Sequence, residues 1–239
     1  MMINSPAIVI HSLRYSEADL IVTLFTKTNG LQTYIQKGVL KSKRGKIRAS
    51  FFQPLTILEI EASHRNKGTL ERIKDARVLS HYASLHTDVI KSALVFFISD
   101  ILKSSIQEEE ANLDLFEYLQ TTILWLDTHD TIGNFHIAFL TKLTQYLGFY
   151  PDDSNLNDDC FNMQEGIFQS EDTNIYCVSG NHISKFKEFL GTTFEGSMNI
   201  RLSKNTRSEI LTMLLVYFEL HLHGFKKPKS LSVLNEIFT

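Results

Sequence analysis

Residues 37–48 read KGVLKSKRGKIR and carry six positive charges and no negative charge, and we call them the basic segment. Clustered Lys and Arg side chains can neutralise successive phosphates of a nucleic acid and release its condensed counterions. Gly38 and Gly45 let the backbone follow an irregular line of phosphates. The segment therefore predicts a phosphate-binding surface. The alternatives are a solvated loop that aids solubility and a surface for an anionic protein or lipid.

The distribution of charge along the chain supports this interpretation. Although the formal net charge is −3, residues 1–80 hold 13 Lys and Arg against 6 Asp and Glu, and the remaining 159 residues hold 11 against 21. No acidic residue occurs from position 20 to position 58. Because the local field steers a polyanion more than the total charge does, we predict a nucleic-acid-binding N-terminal part joined to an acidic part.

Recognition of bases needs aromatic faces as well as charge, since unpaired bases stack on exposed rings. Tyr15, Phe25, Tyr34, Phe51 and Phe52 lie in or beside the predicted strands. Most aromatic side chains at strand spacing belong to a core. The two tyrosines are the preferred candidates for base contact, because a phenol hydroxyl tolerates water.

Signatures of catalysis are missing from the sequence. It contains no G-x-x-x-x-G-K-[ST] phosphate loop, no G-x-G-x-x-G, no H-E-x-x-H and no G-x-S-x-G. We therefore predict that the protein is not an enzyme and needs no cofactor. A nuclease whose carboxylates are far apart in the sequence remains an alternative, although the spacing of the Asp and Glu residues does not indicate one.

Metal binding is also not predicted. Cys160, Cys177 and His182 supply at most three zinc ligands and form no C-x-x-C pair. The acidic stretch after Pro151 begins like a calcium loop but has Asp158 where glycine is needed and Gln164 where a bidentate glutamate is needed.

Short apolar runs in the first eighty residues predict strands that would position the basic segment. The predicted strands cover residues 7–10, 19–26, 31–36, 55–62 and 69–79. The dipeptide Asn29-Gly30 is a strong hairpin signal between the second and third. Five short strands without a helical repeat favour a small closed barrel, with the basic segment between two of its strands.

After residue 80 the apolar spacing changes to three and four, which is typical of helices. The predicted helices cover residues 85–106, 113–126, 132–147 and 206–223. Residues 152–180 are predicted to be a polar, turn-rich insertion. We thus predict an α+β protein with a barrel domain over 1–80 and a helical domain over 81–239. No apolar run reaches eighteen residues and no signal peptide is apparent, so we expect a cytoplasmic protein.

Several short motifs in this order resemble the RecO family, the bacterial recombination mediators of DNA repair. The N-terminal motifs are Ala7-Ile8-Val9-Ile10, Tyr15-x-Glu17-x-Asp19, Leu24-Phe25-Thr26 followed by Gly30, Lys37-Gly38 before the basic segment, and Gln53-Pro54-Leu55. Later motifs are Leu147-Gly148-Phe149-Tyr150-Pro151 and Ser230-Leu231-Ser232-Val233-Leu234. The resemblance spans the chain and is strongest in its N-terminal third.

This resemblance implies an N-terminal five-stranded OB-fold β-barrel, followed by a helical domain. It implies an ATP-independent protein that binds single- and double-stranded DNA, anneals complementary strands and helps RecA load onto DNA coated by single-strand DNA-binding protein. The implied partners are RecR and the C-terminal tail of single-strand DNA-binding protein, and the implied location is the cytoplasm, at the nucleoid. Many members carry a four-cysteine zinc site in the insertion, which two cysteines cannot form.

Combining charge, aromatic residues and resemblance gives one set of expected contacts. The predicted DNA-binding residues are Arg14, Tyr15, Tyr34, Lys37, Lys41, Lys43, Arg44, Lys46 and Arg48. An OB-fold module for RNA, or an adaptor that grips an acidic peptide, would use the same charge and stays an alternative.

Overall fold

The computed structural model describes residues 2–42, 45–63, 70–107 and 110–238. Five strands form one antiparallel sheet in the order β3-β2-β1-β4-β5. The strands are β1 (Met2–Arg14), β2 (Leu20–Thr26), β3 (Gly30–Gln36), β4 (Ile57–Ser63) and β5 (Ile73–Val78). Each of the five predicted strand regions thus contains a strand.

The outer edges of the sheet, β3 and β5, meet near their ends. The Ile35 N–H donates to the Glu71 carbonyl oxygen at 2.9 Å, and Gln36 Nε2 donates to the Ile73 carbonyl oxygen at 3.3 Å. These bonds satisfy edge groups that an open sheet would leave unpaired. The sheet is therefore a partly open barrel, and the predicted five-stranded OB-fold is confirmed.

Alternation along the strands fills the barrel interior, but β1 is buried on both of its faces. Val9 points into the barrel core, and its neighbours Ile8 and Ile10 are also completely buried. Helix α1 (Val89–Ser105) covers that second face, where Ser99 Oγ donates to the Ile10 carbonyl oxygen at 2.6 Å. Covering both faces explains why residues 7–10 of β1 are all apolar.

Contacts between residues divide the chain into two compact units, Met1–Thr128 and His129–Thr239. The first unit holds the barrel, α1 and α2 (Leu113–Thr128). The change from strands to helices falls between β5 and α1, close to residue 80. The assignment of residues 81–239 to one helical domain stays a prediction.

The second unit contains five helices and a small antiparallel sheet within its described residues. The helices are α3 (Phe135–Tyr146), α4 (Asn181–Lys187), α5 (Phe194–Ser197), α6 (Lys204–His221) and α7 (Leu231–Phe238). Helix α6 buries side chains around most of its circumference, as its apolar sequence predicts. Among the helices described in either unit, none combines the length and apolar character needed to cross a bilayer.

The insertion is more ordered than the sequence predicts. Strands β6 (Cys160–Asn162), β7 (Ile167–Gln169) and β8 (Cys177–Ser179) form a sheet in the order β7-β6-β8. Phe161 of β6 packs against Phe168, Phe186 and Tyr217, with ring centroids 4.9–5.6 Å apart. An aromatic cluster therefore supports a sheet where the sequence predicts only turns.

Candidate nucleic-acid interface

The basic segment leaves β3 through a turn that is fixed to the connection between β1 and β2. The Gly38 N–H donates to Asp19 Oδ1 at 2.8 Å, and the Leu40 N–H donates to the Ala18 carbonyl oxygen at 3.0 Å. Gly38 has φ +73°, a conformation that costs a side-chain-bearing residue energy. Val39 is buried in the barrel core. Two hydrogen bonds and one buried side chain thus anchor the start of the segment.

The far end of the basic segment enters a 3₁₀ turn (Ala49–Phe52) that is also anchored. The Phe51 N–H donates to the Arg48 carbonyl oxygen at 3.0 Å. Phe52 is buried in the barrel core, and Ile47 is packed against that core. Apolar residues at both ends therefore hold the segment on the barrel, while Lys41 and Lys46 between them are exposed.

Three cations of the basic segment are free to meet a ligand. Lys37, Lys46 and Arg48 are exposed, and none of them has an ion-pair partner among the residues that the structure describes. Lys41 is exposed as well, but its Nζ lies 2.8 Å from Glu17 Oε2. Exposed pairs of this kind stabilise little and exchange readily. The segment thus presents unneutralised positive charge at its start and at its end.

Other predicted cations are placed differently or not described. Lys43 and Arg44 lie outside the described residues, so their roles stay predictions. Arg14 ends β1, and its guanidinium donates to the carbonyl oxygens of Ser16 and Glu17 at 3.2 and 3.5 Å. Its charge is exposed, yet its donors already serve the β1–β2 turn.

The two candidate tyrosines face opposite environments. Tyr15, in the turn after β1, is 64% exposed, whereas Tyr34 is 1% exposed in the barrel core. Tyr34 pairs across the sheet with buried Val22, and directly paired residues share a face. Burial, with the nearby Glu71 carboxylate, raises the pKa of Tyr34 to about 12. The expectation that Tyr34 contacts a base is therefore corrected, because its ring has no open face.

Basic residues on and beside β5 were not singled out from the sequence. Arg72, Lys74 and Arg77 are exposed, but Asp75 and Glu59 lie among them on the same sheet. A search of the sequence for runs of positive charge misses these three residues, because acidic residues interrupt the run. The interleaved acids also weaken the local positive field. The basic segment, by contrast, contains no acidic residue.

Removing the Asp19 carboxylate tests the anchor of the segment. Asp19→Ala leaves the Gly38 N–H without its acceptor, so we expect the free energy of unfolding to fall by about 1–2 kcal/mol. Asp19→Asn keeps a carbonyl acceptor, so its free energy of unfolding should fall by less. Urea denaturation measures both. Equal losses for the two variants would show that the hydrogen bond to Gly38 is not what the carboxylate contributes.

Comparison with known proteins gives the same order of elements. The family model described as recombination protein O N terminal matches residues 1–82, which include the barrel and the basic segment. The model described as recombination protein O C terminal matches residues 86–231. The chain belongs to the RecO family. The resemblance of the short motifs is thus confirmed.

Relatives named DNA repair protein RecO match along the whole chain. The protein from Christiangramia forsetii is 50% identical over 238 residues, that from Flavobacterium psychrophilum is 46% identical over 239, and that from Bacteroides fragilis is 34% identical over 245. In each case the match covers 100% of both chains. Every element described above therefore lies within the region that this RecO-family chain shares with these relatives.

The insertion of this family member does not offer a complete zinc site. The ligand atoms of Cys160, Asp172 and Cys177 lie within 4.8 Å of one another, and no fourth His, Cys, Asp or Glu joins this group within the described parts of the chain. His182, a third ligand candidate from the sequence, instead places Nδ1 3.9 Å from the Glu209 carboxylate. A structural zinc site needs four ligands, so these residues do not fit one.

Hydrogen bonds hold the two thiols in different environments. Burial, and then the neighbouring Cys177, raise the pKa of Cys160 to about 11. Burial would also raise the pKa of Cys177, but hydrogen bonds from the Thr173 hydroxyl and the Asn174 and Thr173 backbone outweigh it and lower that pKa. Gln169 Nε2 donates to Cys177 Sγ at 3.4 Å. The more exposed thiol is therefore the more acidic one.

This difference predicts selective alkylation of the native protein. Because thiolate is the nucleophile, iodoacetamide at neutral pH should modify Cys177 at least roughly 100-fold faster than Cys160. Intact mass should show one adduct in the native protein and two after denaturation. Cys177→Ser is the control and should stay unmodified when folded. An adduct on Cys160 in the folded protein would contradict the conclusion that its thiol is the less acidic of the two.

Proposed function

We propose that this chain is a recombination mediator that binds single- and double-stranded DNA through the basic segment and anneals complementary strands. The observation that carries the proposal is the anchored segment on an OB-fold barrel, with exposed Lys37, Lys46 and Arg48 that have no ion-pair partner among the described residues. Membership of a family whose relatives are named DNA repair proteins supports DNA as the polyanion. Lys41, Lys43, Arg44, Arg14 and Tyr15 complete the proposed contact set.

Annealing needs no covalent step in this proposal. Two complementary strands repel each other through their phosphates, and the range of that repulsion is about 10 Å at ~0.1 M salt. Lysine and arginine side chains that contact both backbones replace condensed counterions and lower the cost of bringing the strands together. Base pairing then provides the selectivity. ATP hydrolysis and a metal ion are not required.

The partners in this proposal follow from the family. Binding to the C-terminal tail of single-strand DNA-binding protein would bring the mediator to coated single strands, where RecR and the mediator would help RecA load. In this proposal the chain acts in the cytoplasm, at the nucleoid. In this proposal the barrel provides the DNA contacts.

A salt titration combined with an annealing assay tests the proposal. Labelled single and double strands should bind with a logarithmic affinity that falls linearly with the logarithm of salt concentration. Annealing of complementary strands should accelerate without ATP or magnesium and lose its acceleration at high salt. Affinity that is indifferent to salt would refute the proposed phosphate contacts.

Three further measurements distinguish the proposed function from the alternatives. Competition with an RNA strand of the same sequence should displace DNA poorly if DNA is the ligand. A random acidic peptide should compete only weakly, because it lacks the phosphate spacing and the bases. Incubation with magnesium or manganese should return intact strands, whereas cleavage would indicate a nuclease.

A further inference from the structure

A cleft of about 230 Å³ lies in the first unit, where the basic segment ends. Its walls come from the 3₁₀ turn, the residues between that turn and β4, the end of β5 and the chain that follows β5. We call it the Thr56 cleft, and the lining residues used below are Ser50, Phe51, Gln53, Thr56, Tyr82 and His86. None of its lining residues is acidic. The cleft can therefore accept a neutral polar group that belongs to an anionic chain.

The hydroxyl of Thr56 is the unexplained feature of this cleft. Thr56 is 4% exposed, and within the described parts of the chain its Oγ1 has no hydrogen-bond partner. Its backbone is fully used, since its N–H donates to the Gln53 carbonyl oxygen and its carbonyl oxygen accepts from Val9. A buried hydroxyl without a partner is unfavourable to folding. Because Oγ1 is shielded while Thr56 itself lines the cleft, the side chain would have to rotate for a ligand to hydrogen-bond to the hydroxyl and remove this cost.

Two rings hold one wall of the cleft rigid. Tyr82 donates its hydroxyl proton to the Leu55 carbonyl oxygen at 2.6 Å, and His86 Nε2 lies 2.9 Å from the Pro54 carbonyl oxygen. The two rings meet edge to face with centroids 5.3 Å apart. Leu55 has φ +61°, a strained conformation for a residue with a side chain. Leu55 immediately precedes Thr56. The hydrogen bond from Tyr82 to the Leu55 carbonyl oxygen therefore holds the strained backbone and one wall of the cleft together.

Phe51 and Gln53 supply the groups that a base would need. Phe51 is half-buried, so part of its ring packs on the barrel core while part remains accessible at the cleft. Gln53 is exposed and carries both amide donors and a carbonyl acceptor. An aromatic face with hydrogen-bonding groups beside it is the usual arrangement for holding an unstacked base.

We infer that the Thr56 cleft binds one unpaired base of a single strand whose phosphates contact Lys46 and Arg48. The hydrogen bond from the Phe51 N–H to the Arg48 carbonyl oxygen joins the cleft directly to the cationic end of the segment. A paired base is stacked inside a duplex and would have to be extruded to enter, so the cleft favours single strands. This inference rests on the proposed function. It means that the affinity for a single strand has a contribution from the bound base in addition to the salt-dependent contribution from the phosphates.

The test compares an oligothymidine with an abasic strand of the same length, using fluorescence anisotropy and the full-length protein. The intact strand should bind the native protein about tenfold more tightly than the abasic strand, as expected for one stacked base. Thr56→Val keeps the shape and removes the hydroxyl, so the preference should fall by roughly threefold to tenfold. Gln53→Ala, an exposed change, should also lower the preference.

Thr141→Val is the matched control. Thr141 is 3% exposed, its Oγ1 also lacks a partner within the described residues, and it lies in the second unit. Both valine variants should be as stable as the native protein or more stable, but only Thr56→Val should lose preference for the intact strand.

Two outcomes would overturn the inference, and they are distinguishable. Equal binding of the intact and abasic strands with an ordinary salt slope would reject the base site and leave the phosphate contacts standing. Loss of preference in Thr141→Val as well as Thr56→Val would show that the effect does not come from the cleft. Failure of either strand to bind would reject the proposed function itself.

Discussion

Replacing Lys37, Lys46 and Arg48 together with alanine is expected to remove three phosphate contacts and so to lower the salt-sensitive affinity for single-stranded DNA strongly. Each phosphate contact contributes about 0.7 to the slope of logarithmic affinity against logarithmic salt for a single strand, so the slope should fall by about 2. If the electrostatic contribution vanishes near about 1 M salt, the same slope corresponds to a loss of roughly 10²- to 10³-fold at ~50 mM salt. Anisotropy titrations at several salt concentrations measure both quantities.

A second triple variant controls for net charge. Arg72, Lys74 and Arg77 are also exposed cations of the barrel, but acidic residues interleave with them. Replacing these three with alanine removes the same charge from another part of the same sheet. We expect a change in slope well below that of the first variant. Equal changes would mean that total charge, and not the basic segment, governs the binding.

Within the basic segment, Lys41 is expected to contribute less than Lys37, Lys46 and Arg48, which have no ion-pair partner among the described residues. Its ion pair with Glu17 must open before it can contact a phosphate, although the 65% exposure of its side chain keeps the pair weak. Lys41→Ala should therefore reduce the slope by less than one contact. Glu17→Ala, which frees Lys41, should increase affinity slightly.

Local signals in the sequence were sufficient to predict the barrel and the position of the segment. Asn29 and Gly30 predict a hairpin because Gly30 can adopt φ +60°, and the structure adds hydrogen bonds with Thr26 on both sides of that turn. The absence of acids between residues 20 and 58 predicts a positive surface without knowledge of the fold. Each of these two features is carried by one continuous stretch of the chain.

Side-chain direction was less predictable, because it depends on the phase of each strand relative to the core. Tyr34 and Tyr15 are both polar aromatic residues near strands, and only the pairing of Tyr34 with Val22 shows that its ring points inward. The register of two strands is set by the whole sheet. Residue type alone therefore could not separate the exposed tyrosine from the buried one.

The small sheet and the Thr56 cleft were not predictable from local patterns. Strands β6, β7 and β8 have three residues each, too few for a period of two to stand out. Their support comes from Tyr217, which is more than fifty residues away from Phe161 in the chain. The cleft likewise combines the turn before β4 with the chain after β5, and no single stretch of sequence contains it.

The contacts of Asp127 are a further long-range feature, and they predict the largest loss of stability. Asp127, in α2, is 8% exposed. Its carboxylate accepts the N–H groups of Ala83, Ser84 and Leu85 at 2.8–2.9 Å, which fixes the chain between the barrel and α1. Buried Lys91 donates to the Asp127 carbonyl oxygen at 2.8 Å. One side chain thus organises three backbone donors more than forty positions away.

Asp127→Ala would leave those three donors without their acceptor, so we expect the free energy of unfolding to fall by about 3–5 kcal/mol. Asp88→Ala is the graded comparison, because the Asp88 carboxylate caps α1 by accepting one N–H, that of Lys91, at 2.9 Å. Loss of this capping hydrogen bond should lower the free energy of unfolding by about 1 kcal/mol. The chain has a single tryptophan, Trp125, in the same unit, so its fluorescence during urea denaturation reports on this unit.

Acid should weaken the same contact. Burial would raise the pKa of Asp127, but the three backbone donors outweigh burial and hold the pKa below its usual range. A depressed folded pKa contributes stability that is complete above the unfolded value of about 3.9 and is lost as pH falls through the folded pKa. Asp127→Asn cannot titrate, so its deficit relative to the native protein should be constant above about pH 5 and shrink below about pH 4. A deficit that stayed constant to about pH 2.5, or an Asp127→Ala loss no larger than that of Asp88→Ala, would mean that the carboxylate does not hold these three donors.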